Sequence, residues 1–275
     1  MNALTPLSAR LERSDGHALV TLARSRGAVR LRDLAQRGSA KAFLPRVEGD
    51  VPEVVFLNTS GGLTGGDRLS YRLEVGEGCR ATATTQTAER AYAAGAGAAR
   101  VEVLHEVGRD GWLDWLPQET ILFEGAALER ETQISLAPGA GCLMVESVVL
   151  GRAAMGETLS RLAFRDRRSI LRGGKPVVVE PLALDDRALA AAGGAAMLGG
   201  ARALATLAMV GPGAEDALGP ARAALGEAGV EAAASAFDGK LVLRLLAADG
   251  WPLRRQVARL LTVLRGRALP RVWQV

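Results

Sequence analysis

The 275-residue chain is 48% hydrophobic, with only 4% aromatic residues but 33 glycines, well above the usual glycine share of about 7%. Its 34 basic residues outnumber 30 carboxylates for a net charge of +4, but only three are lysines (Lys41, Lys175, Lys240). The arginines are scattered rather than gathered into an aromatic-interleaved patch, which argues against a nucleic-acid partner and leans toward a protein partner. Two histidines (His17, His105) and two cysteines (Cys79, Cys142) exclude a Cys-rich zinc site and a disulfide framework, and point to a reducing compartment with both thiols buried.

In chain order, Met1–Gly16 carries Arg10, Glu12, Arg13 and Asp15 without an apolar run, so no secretory leader is expected. Val54–Leu57 reads as a buried strand entering Gly61-Gly62. Leu69, Tyr71, Leu73 and Val75 alternate with polar residues, as in a half-buried strand. Ile134 and Leu136 alternate similarly before a Pro138-Gly139 turn, and Leu143–Val145 is the next strand. The uncharged stretch Ala188–Ala201 is too short and too rich in Ala and Gly to span a membrane, so a cytoplasmic protein with no membrane partner is expected. Ala203–Val210 reads as a strand and Ala214–Ala228 as a helix weakened by Gly219-Pro220. Val230–Phe237 and Leu241–Leu246 flank an Asp238-Gly239 hairpin signal. Leu253, Val257, Leu260, Leu261 and Leu264 then form the apolar stripe of a final helix, with Pro252 in its first turn.

Three strands end in glycine turns and resume at once, at Gly78, Gly111 and Gly141. A polar group follows each returning strand: Thr84-Thr85-Gln86, Pro117-Gln118-Glu119 and Glu146-Ser147. A strand-and-turn repeat of about 30 residues predicts stacked β layers, a solenoid or layered sandwich, although ordinary hairpins sharing turn chemistry give the same pattern. The expected fold is mainly β, a β-helix-like stack of short strands in layered sheets with two α-helices in the C-terminal third. One domain over 1–275 is expected, with the β-stack about 40–185 and a mixed α/β part about 200–275.

The sharpest local string is Gly61-Gly62-Leu63-Thr64-Gly65-Gly66-Asp67. It copies the spacing of a phosphate loop but puts Asp67 where the phosphate-binding Lys belongs, and Leu63 breaks the dinucleotide pattern. Neither His lies in one of the recurring strings, so a Ser-His-Asp or Cys-His system has no local support and the chain is expected not to be an enzyme. Glu89 and Glu119 remain a carboxylate pair for carbohydrate hydrolysis if they approach one another, and an Arg-rich nucleic-acid binder is the other alternative. No tightly bound cofactor is expected. The donors present are oxygens, which hold borderline metal ions weakly and release them quickly.

Taken together, the strings Leu57–Leu69 (LNTSGGLTGGDRL), Thr84–Tyr92 (TTQTAERAY), Trp115–Ala126 (WLPQETILFEGA), Val149–Glu157 (VLGRAAMGE) and Leu269–Trp273 (LPRVW) resemble the urease accessory protein D family, also called UreD or UreH. Ala40–Arg46 (AKAFLPR) fits its start, and the likeness is strong from Ala40 to Arg165 and thinner through Asp185–Asp249. The matched positions are Gly61, Gly62, Gly65, Gly66, Asp67, Gln86, Glu89, Tyr92, Pro117, Gln118, Glu119, Gly151, Arg152, Met155, Gly156 and Glu157. The resemblance implies a β-helix-like fold and a non-enzymatic chaperone for nickel insertion into urease. It implies partners in accessory protein F, through it the GTPase accessory protein G, and the urease apoprotein, with Ni(II) in transit. On this reading Asp67, Glu89, Glu119 and Glu146 are expected to face a polar interior along a transient nickel path. The structural alternative is that they satisfy buried Arg or backbone N–H groups.

Overall fold

Strands that alternate buried and outward residues face strands buried at nearly every position, and the glycine turns between them wind this chain into stacked coils. The computed structural model describes residues 12–47 and 49–274. The first eleven residues of the stretch read above as carrying no leader lie outside the described residues. The chain opens with β1 (Asp15–Ser25) and β2 (Ala28–Gly38), an antiparallel pair, followed by β3 (Ala40–Phe43).

Four coils follow, each passing through a strand of one sheet, a short third side and a strand of the opposite sheet. The first contains β4 (Glu53–Asn58) and β5 (Arg68–Val75). The second runs through β6 (Arg80–Thr85), β7 (Glu89–Ala91) and β8 (Ala99–Val107), and the third through β9 (Trp112–Leu116), β10 (Thr120–Leu122) and β11 (Ala126–Leu136). The fourth is β12 (Gly141–Leu150) and β13 (Leu162–Arg172). Strands of successive coils pair in parallel: β4-β6-β9-β12 on one side, β5-β8-β11-β13 on the other, and β7-β10 with the end of β12 on the third. Paired residues of successive coils lie 28 to 36 positions apart, from Thr120 with Val148 to Ala126 with Leu162. The glycine-spaced repeat is therefore a real coil. Its turns stack, with Gly141 N donating to the Gly111 carbonyl and Trp112 N to that of Cys79.

Antiparallel strands finish both sheets. β1 lies parallel to β5, carrying the stack to the N-terminal side of residue 40, and β14 (Lys175–Asp185) folds back on β13. The helix α1 (Asp186–Ala190), absent from the sequence reading, starts where the Asp185 side chain accepts from Ala188 N at 2.9 Å. In the other sheet, β15 (Ala203–Val210) runs antiparallel to β12. The short α2 (Leu218–Ala223) separates it from the hairpin of β16 (Val230–Phe237) and β17 (Lys240–Ala247), and α3 (Gly250–Arg265) closes the chain. The helix expected over Ala214–Ala228 is only α2, because Gly219-Pro220 occupies its start and turns flank it. Asp238 and Gly239 both take positive φ (50° and 69°), as a two-residue hairpin requires.

Two apolar cores result. One fills the coils, from Val20 and Leu22 through Leu73 and Phe56 to Ile134 and Ile170. The other lies outside the larger sheet, where Leu143, Val145, Leu207 and Leu243 meet Leu253, Val257, Leu260 and Leu261 of α3. Cys79 and Cys142 are free and buried. Among the described residues, no helix is long and apolar enough to cross a membrane.

Candidate functional site

The coils bring together what the sequence separates. On the third side Leu63 bridges Ala91, Ala91 pairs with Leu122, and Leu122 with Leu150. The glycine loop, the Gln86–Tyr92 string, the Pro117–Phe123 string and the Gly151–Glu157 string thus stack as successive floors of one wall. Close packing explains Gly62, where a Cβ would come within 2.3 Å of the Tyr92 ring and 2.8 Å of the Arg90 carbonyl. Tyr92, 40% exposed, packs edge-on against Phe123 at 5.0 Å, and the Arg152 guanidinium covers that ring from 4.7 Å.

Behind this wall lies a cavity of about 100 Å³, reaching the surface beside the exposed Gly61, Thr87 and Arg90. Glu89 stands at its mouth. Its carboxylate has long contacts with the Asn58 amide (3.3 and 3.4 Å) and accepts from Arg90 N at 3.2 Å, with no cation paired to it among the described residues. Burial pushes its pKa up to about 7, against lowering by Asn58 and Arg90. The Tyr71 hydroxyl, also lining the cavity, is pushed up by burial and then by the Glu89 charge.

The inner wall is ionic. Glu146, 2% exposed, accepts from Trp115 Nε1 at 3.1 Å and Thr132 Oγ1 at 3.0 Å, and its other oxygen lies 2.8 Å from Arg130 Nη1. Arg130 also donates to Thr120 Oγ1 at 2.9 Å and forks onto Asp166 at 3.0 and 2.6 Å. Asp166 accepts from Arg168 Nε at 2.8 Å as well. Burial alone would raise the Asp166 pKa, but the two guanidinium groups overcome it and hold it below the ordinary value. Arg168 in turn reaches the floor of an open groove between β14 and β15–β17, with Glu180, Thr206 and the exposed Arg244. Polar groups therefore run from the mouth at Glu89 to the far end of the stack.

The four carboxylates of the sequence reading separate. Glu89 and Glu146 share the cavity. Asp67 instead closes the glycine loop, accepting from Ser14 N and Thr64 N, both at 2.8 Å. Glu119 turns to an outer groove beside Arg152 and Trp251, where Arg254 Nη1 holds it at 3.0 Å. Glu89 and Glu119 therefore do not converge as a hydrolytic pair. Pro117 and Gln118 are buried along the cavity, whereas Gln86 is exposed where β6 ends. Gly151 and Gly156, both with positive φ, bound a surface turn in which Arg152 pairs with Glu157 at 2.9 Å and Met155 is 73% exposed. Nearby, hydrogen bonds from the Ser160 N–H and hydroxyl and from Arg161 N pull the half-buried Glu124 carboxylate down to about 2. Among the described residues, no group of three or more His, Cys, Asp and Glu is placed to hold a metal ion.

Arg130, Thr120, Asp166 and Arg168 were missed by the sequence reading. Their signal was phase: Arg130 falls on the inward beat of Leu128, Thr132 and Ile134, and Asp166 and Arg168 on that of Phe164 and Ile170. Charged residues at core positions of a strand mark a polar interior.

The chain matches the family model of the UreD urease accessory protein over residues 14–274. It is 98% identical over 275 residues to the urease accessory protein UreD of Cereibacter sphaeroides (strain ATCC 17029 / ATH 2.4.9), covering all of both chains. It is 57% identical to that of Paracoccus denitrificans (strain Pd 1222), over all of this chain and 96% of the relative. With that of Rhizobium leguminosarum bv. viciae it shares 44% over 98% of each chain. The chain belongs to the UreD urease accessory protein family.

Proposed function

We propose that this protein acts in urease maturation as a non-enzymatic chaperone for nickel insertion. It holds accessory protein F, and through it the GTPase accessory protein G, against the urease apoprotein, and its interior carries Ni(II) in transit. The observation behind the conduit is the cavity whose mouth carries Glu89, free of any paired cation among the described residues, and whose inner wall continues through Glu146, Asp166 and Arg168. Carboxylate, hydroxyl and carbonyl oxygens suit passage, because they bind a borderline ion weakly and exchange it quickly, whereas imidazole and thiolate would trap it. A proton competes with the ion at Glu89 near neutral pH, which further limits residence there.

The test is co-expression of the urease subunits with the accessory proteins. Omitting this chain is expected to abolish nickel-dependent activation and co-purification of the complex. Replacing Glu89 with Ala is expected to lower activation several-fold at limiting nickel with the complex still assembled. Glu119→Ala should cost less, since its carboxylate lies in the outer groove. Full activation by the Glu89 variant would refute the conduit and leave the scaffold.

A further inference from the structure

The polar interior is crossed by a cation of the protein's own. Arg130 is 7% exposed, and its guanidinium spans two carboxylates from different walls, Glu146 on β12 and Asp166 on β13. Thr120 on β10 accepts a further N–H, and the Phe164 ring lies 5.8 Å from the guanidinium carbon. The neighbouring floors of the same inward row, Leu69 and Val101, are apolar. Beyond Asp166 stands Arg168, 2% exposed and paired with the same carboxylate.

Two carboxylates and two guanidiniums make this cluster electrically balanced. Adding a divalent cation to it would leave two uncompensated charges in a low-dielectric interior, which is prohibitive. Removing the Arg130 guanidinium from between its partners leaves the cluster one net negative charge, with Arg168 still on Asp166, so a divalent ion there leaves one uncompensated charge in place of two. Glu146 and Asp166 then face one gap, with the Thr120 and Thr132 hydroxyls beside it, an oxygen set suited to a hard or borderline divalent ion. The side chain has somewhere to go, because Arg130 lines the mouth cavity in which Glu89 offers a carboxylate with no paired cation among the described residues.

We propose that Arg130 is the gate of this interior: a tethered guanidinium that occupies, between Glu146 and Asp166, the station a divalent cation takes in transit. The proposal rests on the conduit reading. Passage requires the guanidinium to swing toward Glu89, exchanging one tethered positive charge for the travelling ion, so the path is closed at rest and opens only while a cation displaces the arginine.

The experiment is equilibrium dialysis of the purified full chain against Ni(II), with thermal melts in parallel. Arg130→Gln is expected to bind one Ni(II) per chain more than the unaltered protein at the same free concentration. Its Tm should rise by roughly 5 °C or more at about a hundredfold excess over Kd, a shift absent from the unaltered chain. Adding Glu146→Gln to that variant should remove both effects. If Arg130→Gln does not fold without metal, Arg130→Met, which removes the charge but keeps an unbranched apolar stem to fill the space, takes its place, and a nickel-dependent Tm rise is expected of it instead. No gain of nickel in any Arg130 variant overturns the gate, even if Glu89→Ala impairs urease activation. A gain of nickel with activation untouched by Glu89→Ala instead overturns the conduit, and the gating role falls with it.

Discussion

At the scale of single residues, the decisive contrast is between carboxylates that are engaged and one that is not. Asp67 holds two backbone N–H groups and Glu119 holds Arg254, whereas Glu89 is largely buried with long, neutral contacts. Its pKa is raised from 4.5 to about 7 by burial, so the folded state binds the proton more tightly than the unfolded chain. Folding stability therefore falls as pH rises from about 4.5 to 7, the cost is complete above 7, and there is none below 4.5. Glu89→Gln is accordingly expected to be more stable than the unaltered protein at pH 8, by on the order of 2–3 kcal/mol, with the difference vanishing near pH 4. Denaturant titrations at both pH values measure it, and an equal offset at both would show that Glu89 is not a buried titrating carboxylate. In the sequence Glu89 and Glu146 stand out together with Asp67 and Glu119, and nothing local sorts them. Engagement is decided by partners 53 residues away, as for Ser14 and Asp67, or 135 residues away, as for Glu119 and Arg254.

At the scale of elements, the C-terminal helix was the most legible piece. Its stripe of Leu253, Val257, Leu260 and Leu261 is the buried face, with Asp249 capping its start and Gly266 (φ 62°) its end. What docks it was not legible. Asp114, on the outward face of β9 and 1% exposed, receives Arg265 Nε at 2.9 Å and Trp112 Nε1 at 2.7 Å and is also bound by Arg267. Trp273, from the LPRVW ending, is buried, with its Nε1 donating to the Leu116 carbonyl at 2.9 Å and Arg254 lying 4.9 Å from its ring. Pattern analysis assigns faces to a helix, but a buried ion pair between chain positions 151 apart leaves no periodic trace. Asp114→Asn leaves the buried Arg265 without its counter-charge and is expected to cost about 3–5 kcal/mol. Trp273→Phe, which loses one hydrogen bond and some packing, should cost about 1–2 kcal/mol. Urea midpoints of both variants check the order, and an Asp114 variant as stable as the parent would mean that the helix is docked by its apolar stripe alone.

At the scale of the molecule, the glycine turns and the period of about 30 residues anticipated a coil, but not its closure. A β-stack must shield its walls, and here the larger sheet is apolar on both faces: Met144 and Val148 point into the coils, while Leu143 and Val145 point out. This is why β12 and β15 carry apolar residues at both odd and even positions, broken only by Glu146-Ser147 and by Thr206, and why sequence alone does not assign their faces. The outward face is usable only because α3 and the tail cover it. Four buried aliphatic side chains of α3 and the Trp273 ring, at about 1.5–3 kcal/mol each, contribute roughly 7–15 kcal/mol, as much as the whole net stability of a typical domain. A chain ending at Asp249 is therefore expected not to fold to a soluble monomer. It should bind the dye ANS strongly and sediment as aggregates, and adding the missing segment as a separate polypeptide should restore solubility only if it reoccupies that face. A truncated chain that stays monomeric with native thermal stability would show that the second core is not needed to hold the coils, and the coils would then stand as an independent unit to which α3 is merely attached.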